Sequence, residues 1–396
     1  MLLQKIKELA QDFHQDTIAT RRYLHQHPEL SFQEKKTGKY VASQLKKIGI
    51  PFKHGCAENG VVAIIKGKIK SNKTLALRAD MDALPIQEAN DVAYRSKNQG
   101  IMHACGHDVH TASLLGTARI LWQLRDEFGG TIKLIFQPGE EKLPGGASIM
   151  IKEGVLKNPA PQKIFGQHVH PPLAAGKVGF RSGMYMASAD ELFLKVQGKG
   201  GHGALPQNCV DTILITAHLI TALQQLVSRM ANPTTPTVLT FGKINAVGGA
   251  TNIIPDEVNL EGTFRTMDEK WRKQAHQKMK KLVHNLAKSM NGKAELDIKI
   301  GYPFLKNDVP LTANAKAYAI EYLGKKNVVD LPIRMTSEDF AWYSQQVPAC
   351  FYRLGTGNIS RGINSLVHTA TFDVDEDSLK VGSGLMAWLA IRELDG

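Results

Sequence analysis

The 396-residue sequence has no uninterrupted apolar run approaching the roughly 18 residues a membrane-spanning helix needs, so no such helix is expected. Cysteine is scarce: four residues, at 56, 105, 209 and 350, are far apart and form no framework spacing. That excludes a disulfide-framed domain, and in a reducing compartment all four stay thiols. Three read as buried apolar fillers, and Cys105 stands apart because of its neighbours. There is no internal repeat and no low-complexity tract. Residues 1–10 set Lys5, Lys7 and Glu8 among Leu2, Leu3, Ile6 and Leu9. This is an amphipathic helix and not a signal peptide, because no continuous apolar segment follows; a cytoplasmic protein is the expectation. Acidic residues are in deficit, 37 against 49 Lys and Arg, for a net charge of +12. Such a balance raises nucleic acid or another anionic partner. The lysines are dispersed, however. Those between 270 and 281 fall mostly between Trp271, Ala275, Met279, Val283 and Leu286, which recur at helical spacing, so they read as a solvated helix face. No nucleic-acid motif is visible, and a mild steering field for anionic substrates is the most the charge implies.

What is present describes a globular protein, 43% hydrophobic and 22% charged, and long enough for two domains. Residues 1–26 read as helical, ending before His27-Pro28, and 38–48 as a second helix stopped by Gly49. Segments 61–65, 74–77, 131–136 and 163–165 are strand-like; 108–124 and 149–155 are helical. Strands alternating with helices predict an α/β fold with a mostly parallel sheet and helices on both faces. The pattern changes after Gly183. Strands at 191–197, 237–242, 257–263 and 295–300 and long helices at 211–229 and 268–290 make a smaller α+β sandwich. After about residue 301 the strand–helix alternation returns. The expected organisation is a discontinuous domain of residues 1–183 and 301–396, interrupted by an inserted domain of residues 184–300.

The most informative stretch is Met102-His103-Ala104-Cys105-Gly106-His107-Asp108. It gathers a thiol, two imidazoles and a carboxylate in one loop, a mixture that suits a divalent transition metal. Further candidates are spread along the chain, so a fold must collect them, which argues for a catalytic centre and against a zinc finger. In open α/β sheets ligands bind at the carboxyl ends of strands. Segment 74–79 ends in Asp80-Met81-Asp82, 131–136 runs into Glu140-Glu141, and 163–167 ends in His168. Three strands thus deliver metal-competent side chains to one edge. Cys105 and His107 would be presented by a loop before the helix; the plainer alternative is a buried thiol beside a helix-capping Asp108. Adjacent carboxylates on an extended segment point to opposite sides, so one of Glu140 and Glu141 can bind metal while the other faces a water; an ordinary acidic turn is the alternative. His168 is preferred to His170 as a ligand. His368, taken alone, is more often a core histidine, and gains weight from the need for a ligand on the far side. Gly198-Lys199-Gly200-Gly201-His202-Gly203 matches a dinucleotide-binding glycine pattern in form only. The acidic residue such a fold needs about 20 positions on is replaced by Leu223-Gln224-Gln225 in a helix. The glycines would instead let backbone approach a substrate closely, with His202 exposed; a flexible hairpin is the alternative.

With these residues assembled, the chain resembles the amidohydrolase branch of the metallo-aminoacylase and carboxypeptidase superfamily, which includes hippurate hydrolase, N-acetyldiaminopimelate deacetylase, N-acyl-amino-acid hydrolases and the plant auxin-conjugate hydrolases. The matching motifs run nearly end to end: RRYLHQHPELSFQE, LRADMDALPIQE, MHACGHDVHTASLLG, IFQPGEE with PGGASIMIKEG, GQHVHP, GKGGHGALP, TNIIPDEVNLEGTFRT, SEDFAWY and LVHTATFD. The resemblance implies two divalent metal ions, zinc or manganese with cobalt a further candidate, held by Cys105 as bridge with His107, Glu141, His168 and His368. In related branches an Asp bridges and another His ligates, where this chain has Cys105 and, earlier, Asp80. It implies Glu140 as general base and Asp82 as an orienting carboxylate. His202 matches a lid histidine that stabilises the substrate carbonyl oxygen, and Asn252 and Arg265 match groups that hold the substrate carboxylate. An Arg can grip a carboxylate through two parallel hydrogen bonds; an exposed Arg at a sheet edge is the plainer reading of Arg265. The implied activity is hydrolysis of N-acyl amino acids. A small-peptide exopeptidase with the same site and a binding protein stapled by its metal are the alternatives. The partners expected are a small-molecule substrate and a second copy of the chain through the lid domain, with neither nucleic acid nor membrane.

Overall fold

The computed structural model describes residues 1–395. They divide into two compact units. The first comprises residues 1–183, 306–332 and 339–395, and the second residues 184–305 with 333–338. The fold is mixed α/β, with a large, mostly parallel sheet surrounded by helices. Among the described residues no helix is long and apolar enough to cross a membrane.

The first unit is built on eight strands: β1 (Phe52–Cys56), β2 (Gly60–Lys66), β3 (Ile69–Asp80), β4 (Gly129–Gln137), β5 (Lys163–Ala174), β6 (Val178–Phe180), β7 (Val328–Asp330) and β8 (Ala349–Gly357). Their order across the sheet is β1-β2-β4-β3-β5-β8-β6-β7. The central strands β4, β3, β5 and β8 are parallel, with Asp80 opposite Gln137 and Arg78 opposite Gly166. Strands covered on both faces are apolar along most of their length, and β4 is buried at every position but one. Helix His107–Gln123 packs on the sheet and is buried on nearly all sides, as its apolar composition requires. Leu114, Leu121, Leu134, Phe136, Leu385 and Leu389 belong to one continuous core.

The second unit carries a four-stranded antiparallel sheet in the order Thr237–Val247, Glu257–Thr266, Asp190–Gln197, Lys293–Ile300. Alternate residues of Asp190–Gln197 are buried, Leu192, Leu194 and Val196 among them. They form a core with Ile215 and Leu219 of helix Thr212–Leu223 and Ala275, Met279 and Val283 of helix Glu269–Ser289. Each helix starts at an aspartate that accepts a backbone N–H of its first turn: Asp211 from Leu214, and Asp268 from Trp271.

Several elements depart from the sequence reading. The helix expected over 1–26 is two, Leu2–Asp12 and His14–Gln26, separated at Phe13, whose ψ of 1° interrupts the α-helical ladder. The first buries Ile6 and Ala10, whereas the second buries polar residues, Arg21 and His25 among them. β5 extends far past Phe165. His168 and the Pro171-Pro172 pair read as the end of a strand, yet pairing to β8 continues through an irregularity that absorbs the prolines. Strand Thr237–Val247 continues beyond Gly242 because a bulge between Phe241 and Lys243 keeps its register with Glu257–Thr266.

Candidate metal centre

The carboxyl ends of β3, β4 and β5 lie side by side, as parallel pairing demands. β3 ends at Asp80 with Asp82 just beyond, β4 runs into Glu140 and Glu141, and His168 lies within β5. The 102–108 stretch crosses this edge. Met102 pairs with Leu84, and the Ala104 carbonyl accepts the His368 N–H at 2.7 Å. Gly106, between Cys105 and His107, adopts φ +80°, and a Cβ there would lie 2.6 Å from Val169 Cγ2. Only glycine fits that backbone and that gap. It lets the chain turn from Cys105 into the helix whose first residue is His107.

Cys105, His107, Glu141, His168 and His368 are brought together. Cys105 Sγ lies 3.4 Å from His168 Nε2 and 3.3 Å from His368 Nε2. Glu141 Oε1 lies 3.1 Å from His368 Nε2 and 3.9 Å from His107 Nε2. Potential ligand atoms fall within 4.8 Å of one another in three overlapping sets: Cys105, His107 and His168; Cys105, Glu141 and His368; His107, Glu140 and Glu141. Cys105 is common to the first two. The first set is fully buried, whereas the His368 side chain is half exposed.

The hydrogen bonds around the cluster select ring nitrogens. His107 Nδ1 donates to Asp82 Oδ1 at 3.1 Å, and His168 Nδ1 to the Val169 carbonyl at 2.8 Å. Each ring therefore turns its Nε2 towards the cluster, as a free lone pair on neutral His168 and as one exposed on His107 once that nitrogen gives up its proton. His107 Nε2 and Glu141 Oε1 are buried and have no hydrogen-bond partner. Buried ligand-type atoms that make no hydrogen bond, at the meeting point of a thiol, imidazoles and carboxylates, fit a divalent metal ion. Burial and the nearby Arg353 hold the His168 imidazole well below its ordinary range, hence neutral. Burial opposes charge on His107 too, but Asp80, Asp82 and Glu141 overcome it and push that ring up to about 10 in the metal-free protein. Burial, then Glu141 and Glu140, raise the Cys105 thiol well above its usual value.

Asp82 and Glu34 hold the segment carrying the two glutamates. Asp82 Oδ2 accepts from Ser31 Oγ at 2.6 Å and from the Glu141 N–H at 2.9 Å. Glu34 Oε1 accepts the Gly139 N–H at 2.7 Å. Burial and then Asp82 push Glu34 up to about 7. Glu140 is buried, and its Oε1 accepts the Asp339 N–H at 3.3 Å.

The other histidine of the central stretch, His103, is buried, with neither ring nitrogen hydrogen-bonded, and burial lowers it to about 4. Asp108 does not cap its helix through its side chain; its Oδ2 receives Arg21 Nε and His25 Nδ1, both at 2.8 Å.

Three further residues escaped the sequence reading: Arg78, His110 and Asp339. Arg78 is a buried cation in an otherwise apolar part of β3, a pattern that in itself signals a buried partner. His110 follows His107 by one helical turn, and Asp339 belongs to the SEDFAWY segment.

His202, Asn252 and Arg265 belong to the second unit. In the glycine-rich segment Lys199 bridges to Val210, strand Gly201–His202 pairs with Ile253–Ile254, and a turn follows at Gly203-Ala204. His202 Nδ1 accepts the Ala204 N–H at 3.1 Å, and the Asn252 carbonyl accepts the Gly203 N–H at 2.8 Å, so His202 and Asn252 are neighbours. Arg265, half-buried on strand Glu257–Thr266, reaches the Met335 carbonyl at 3.3 Å and Ser337 Oγ at 3.4 Å.

A family model described as peptidase family M20/M25/M40 matches residues 76–392. The chain is 43% identical, over 76% of its length and 80% of the relative's, to an N-acyl-L-amino acid amidohydrolase of Geobacillus stearothermophilus. It is 37% identical to thermostable carboxypeptidase 2 of Saccharolobus solfataricus, covering 99% of this chain and 98% of that one. The crystal structure of the YXEP protein of Bacillus subtilis, titled a dinuclear metal binding peptidase from the M20 family, superposes with a TM-score of 0.84 at 35% identity, covering 97% of this chain and 99% of that one.

Proposed function

The chain belongs to peptidase family M20/M25/M40 and is a metal-dependent amidohydrolase; from that premise we propose that it cleaves the amide bond of N-acyl amino acids, giving a carboxylic acid and the free amino acid. The observation that carries this reading is the convergence of Cys105, His107, Glu141, His168 and His368 beside the buried carboxylate of Glu140. In this reading those five residues would hold two ions, and a Cys105 thiolate among the ligands would favour zinc over manganese or cobalt. When bound, the ions supply positive charge that polarises the scissile carbonyl and acidifies water.

The protein's own groups do the rest. Glu140 takes a proton from the attacking water as its oxygen bonds to the carbonyl carbon, then gives that proton to the leaving nitrogen as the C–N bond breaks. Asp82 fixes the ring of His107 through Nδ1 and the backbone of Glu141 through its N–H, so that both keep their orientation. His202 donates to the oxygen that gains charge in the transition state. Asn252 and Arg265 hold the substrate carboxylate, Arg265 through its planar fork. The second unit acts as the lid and as the surface of a homodimer.

The carboxypeptidase relative supports a second reading, removal of an amino acid from a short peptide by the same groups. A panel of N-acetyl and N-benzoyl amino acids against dipeptides, run on protein reconstituted with zinc, manganese or cobalt and checked by elemental analysis, separates the two. Turnover of the acylated amino acids over the dipeptides is the expected result; turnover of dipeptides alone overturns the deacylase reading.

A further inference from the structure

A continuous set of buried side chains links the two halves of the metal centre. Arg78 stands at its middle, on β3, with 1% of its surface exposed. Nη1 donates to Asp80 Oδ2 at 2.6 Å, Nη2 to Asp339 Oδ1 at 2.7 Å, and Nε to Gln137 Oε1 at 3.0 Å. On one side, Asp80 Oδ1 meets His110 Nδ1 at 2.5 Å, and His110 Nε2 accepts the Val169 N–H at 2.9 Å. Val169 follows His168 in β5. On the other side, Asp339 Oδ2 accepts from Gln137 Nε2 at 2.7 Å and from the Ala147 N–H at 2.9 Å, and its own N–H is the donor to Glu140 Oε1.

The chemistry of these contacts rules on a competing idea. Asp80, His107 and His110 also group closely enough for a metal ion. His110, however, must accept at Nε2 because a backbone N–H can only donate, so its proton sits on Nδ1 and points at Asp80. Asp80 in turn has one oxygen on His110 and the other on Arg78. His110 has no ring lone pair left for a metal ion, and both Asp80 oxygens are already committed to cationic or N–H partners, so the group acts as a brace.

We propose that Arg78 is a positioning residue for both the ligands and the general base. This rests on the functional reading above and deepens it. The guanidinium fixes the distance between two carboxylates that cannot touch each other. Through Asp80 and His110 it sets the backbone that follows His168. Through Asp339 it sets the N–H that aims Glu140. Lysine carries the same charge at one point and cannot span both carboxylates in a fork.

The test uses full-length, metal-stripped protein titrated with cobalt(II), read by the d–d and sulfur-to-cobalt charge-transfer bands, so that no substrate is needed. Arg78→Lys is expected to lower cobalt affinity tenfold or more and to shift the d–d bands, the usual scale for residues that orient ligands. Leu389→Ala, a core truncation in helix Ser378–Asp395, is the control for lost stability alone and should leave affinity within twofold. A second measurement covers an Arg78 variant that fails to fold. His110→Ala and Asp339→Asn lie on opposite sides of Arg78, and their combined loss of cobalt affinity should fall short of the product of the single losses by tenfold or more. A folded Arg78→Lys protein with less than a tenfold loss, or an additive pair, overturns the proposal. A wild-type protein that binds no cobalt at all overturns the functional reading instead.

Discussion

The tautomers of the clustered histidines set what metal binding must displace. His168 is neutral before any ion arrives, since burial and Arg353 depress it. His107, pushed up to about 10, carries a proton at neutral pH, and the raised Cys105 thiol carries another. Ligands must be deprotonated, so on the proposed ligand set binding would release both. The sign follows. His107 has a folded value above its unfolded one, so its proton favours the metal-free fold fully below about 6.5, and that contribution is lost as pH rises through about 10. Zinc therefore gains affinity with rising pH, by up to about 100-fold per unit for two displaced protons. Calorimetry at pH 7 in buffers of different ionisation enthalpy should report release of two protons, and a value near zero would sink this account. Glu140→Gln keeps the shape of the side chain but cannot shuttle a proton. It is expected to retain metal by elemental analysis while kcat drops at least 100-fold, the general scale of acid–base assistance; near-normal turnover would remove Glu140 from its role. At this scale much of the cluster was legible in the sequence, because cysteine, histidine and glutamate pairs are rare enough to stand out. Arg78 and His110 were not, since their partners Asp339 and Val169 are distant in sequence and only the tertiary packing of loop and helix against the sheet brings them close.

Elements carry the site through their ends. The helix His107–Gln123 can begin two residues after Cys105 only because Gly106 between them tolerates φ +80° and leaves room for Val169. Gly106→Ala combines a left-handed backbone cost of about 1–2 kcal/mol with an overpacking cost of about 1–3 kcal/mol. Gly100, at φ +75° with nothing within 4 Å of its notional Cβ, offers the comparison: Gly100→Ala should cost only the first. Denaturant unfolding of the metal-free variants measures both, and equal losses would mean that the Val169 contact is unimportant. Element boundaries were the least legible feature. β5 was cut short because a histidine and two prolines imitate a strand end, whereas the parallel neighbour that keeps it going lies almost 200 residues away in β8. The break at Phe13 had no sequence signal, since both flanking segments favour helix and the kink serves two different buried faces.

For the molecule as a whole, the mostly parallel sheet followed from strand–helix alternation, whereas the change of pattern after Gly183 pointed only to a smaller α+β sandwich and left the antiparallel direction of its strands open. What alternation could not supply was strand order, which depends on pairing between remote segments. The second unit also leaves apolar surface uncovered. Helix Thr212–Leu223 exposes Ile213 and Leu214 beside His218 and Thr221, while Thr237–Val247 is an edge strand exposing Ile244 and Val247. Unprotected edges invite pairing with another chain. Light scattering should give twice the mass of the chain, and Ile213→Lys with Leu214→Lys should return it to that of one chain; a wild-type monomer contradicts the dimer proposal.

The position of β8 has a consequence for biosynthesis. It fills the gap between β5 and β6, yet it is made about 175 residues after them. During translation the large sheet stays open at its middle while nearly all of the second unit emerges and can already fold. His368 leaves the ribosome later still. A nascent chain stalled before residue 349 lacks a closed sheet and, on the proposed ligand set, one of its five donors, so ion loading on that set would come late in the maturation of the polypeptide.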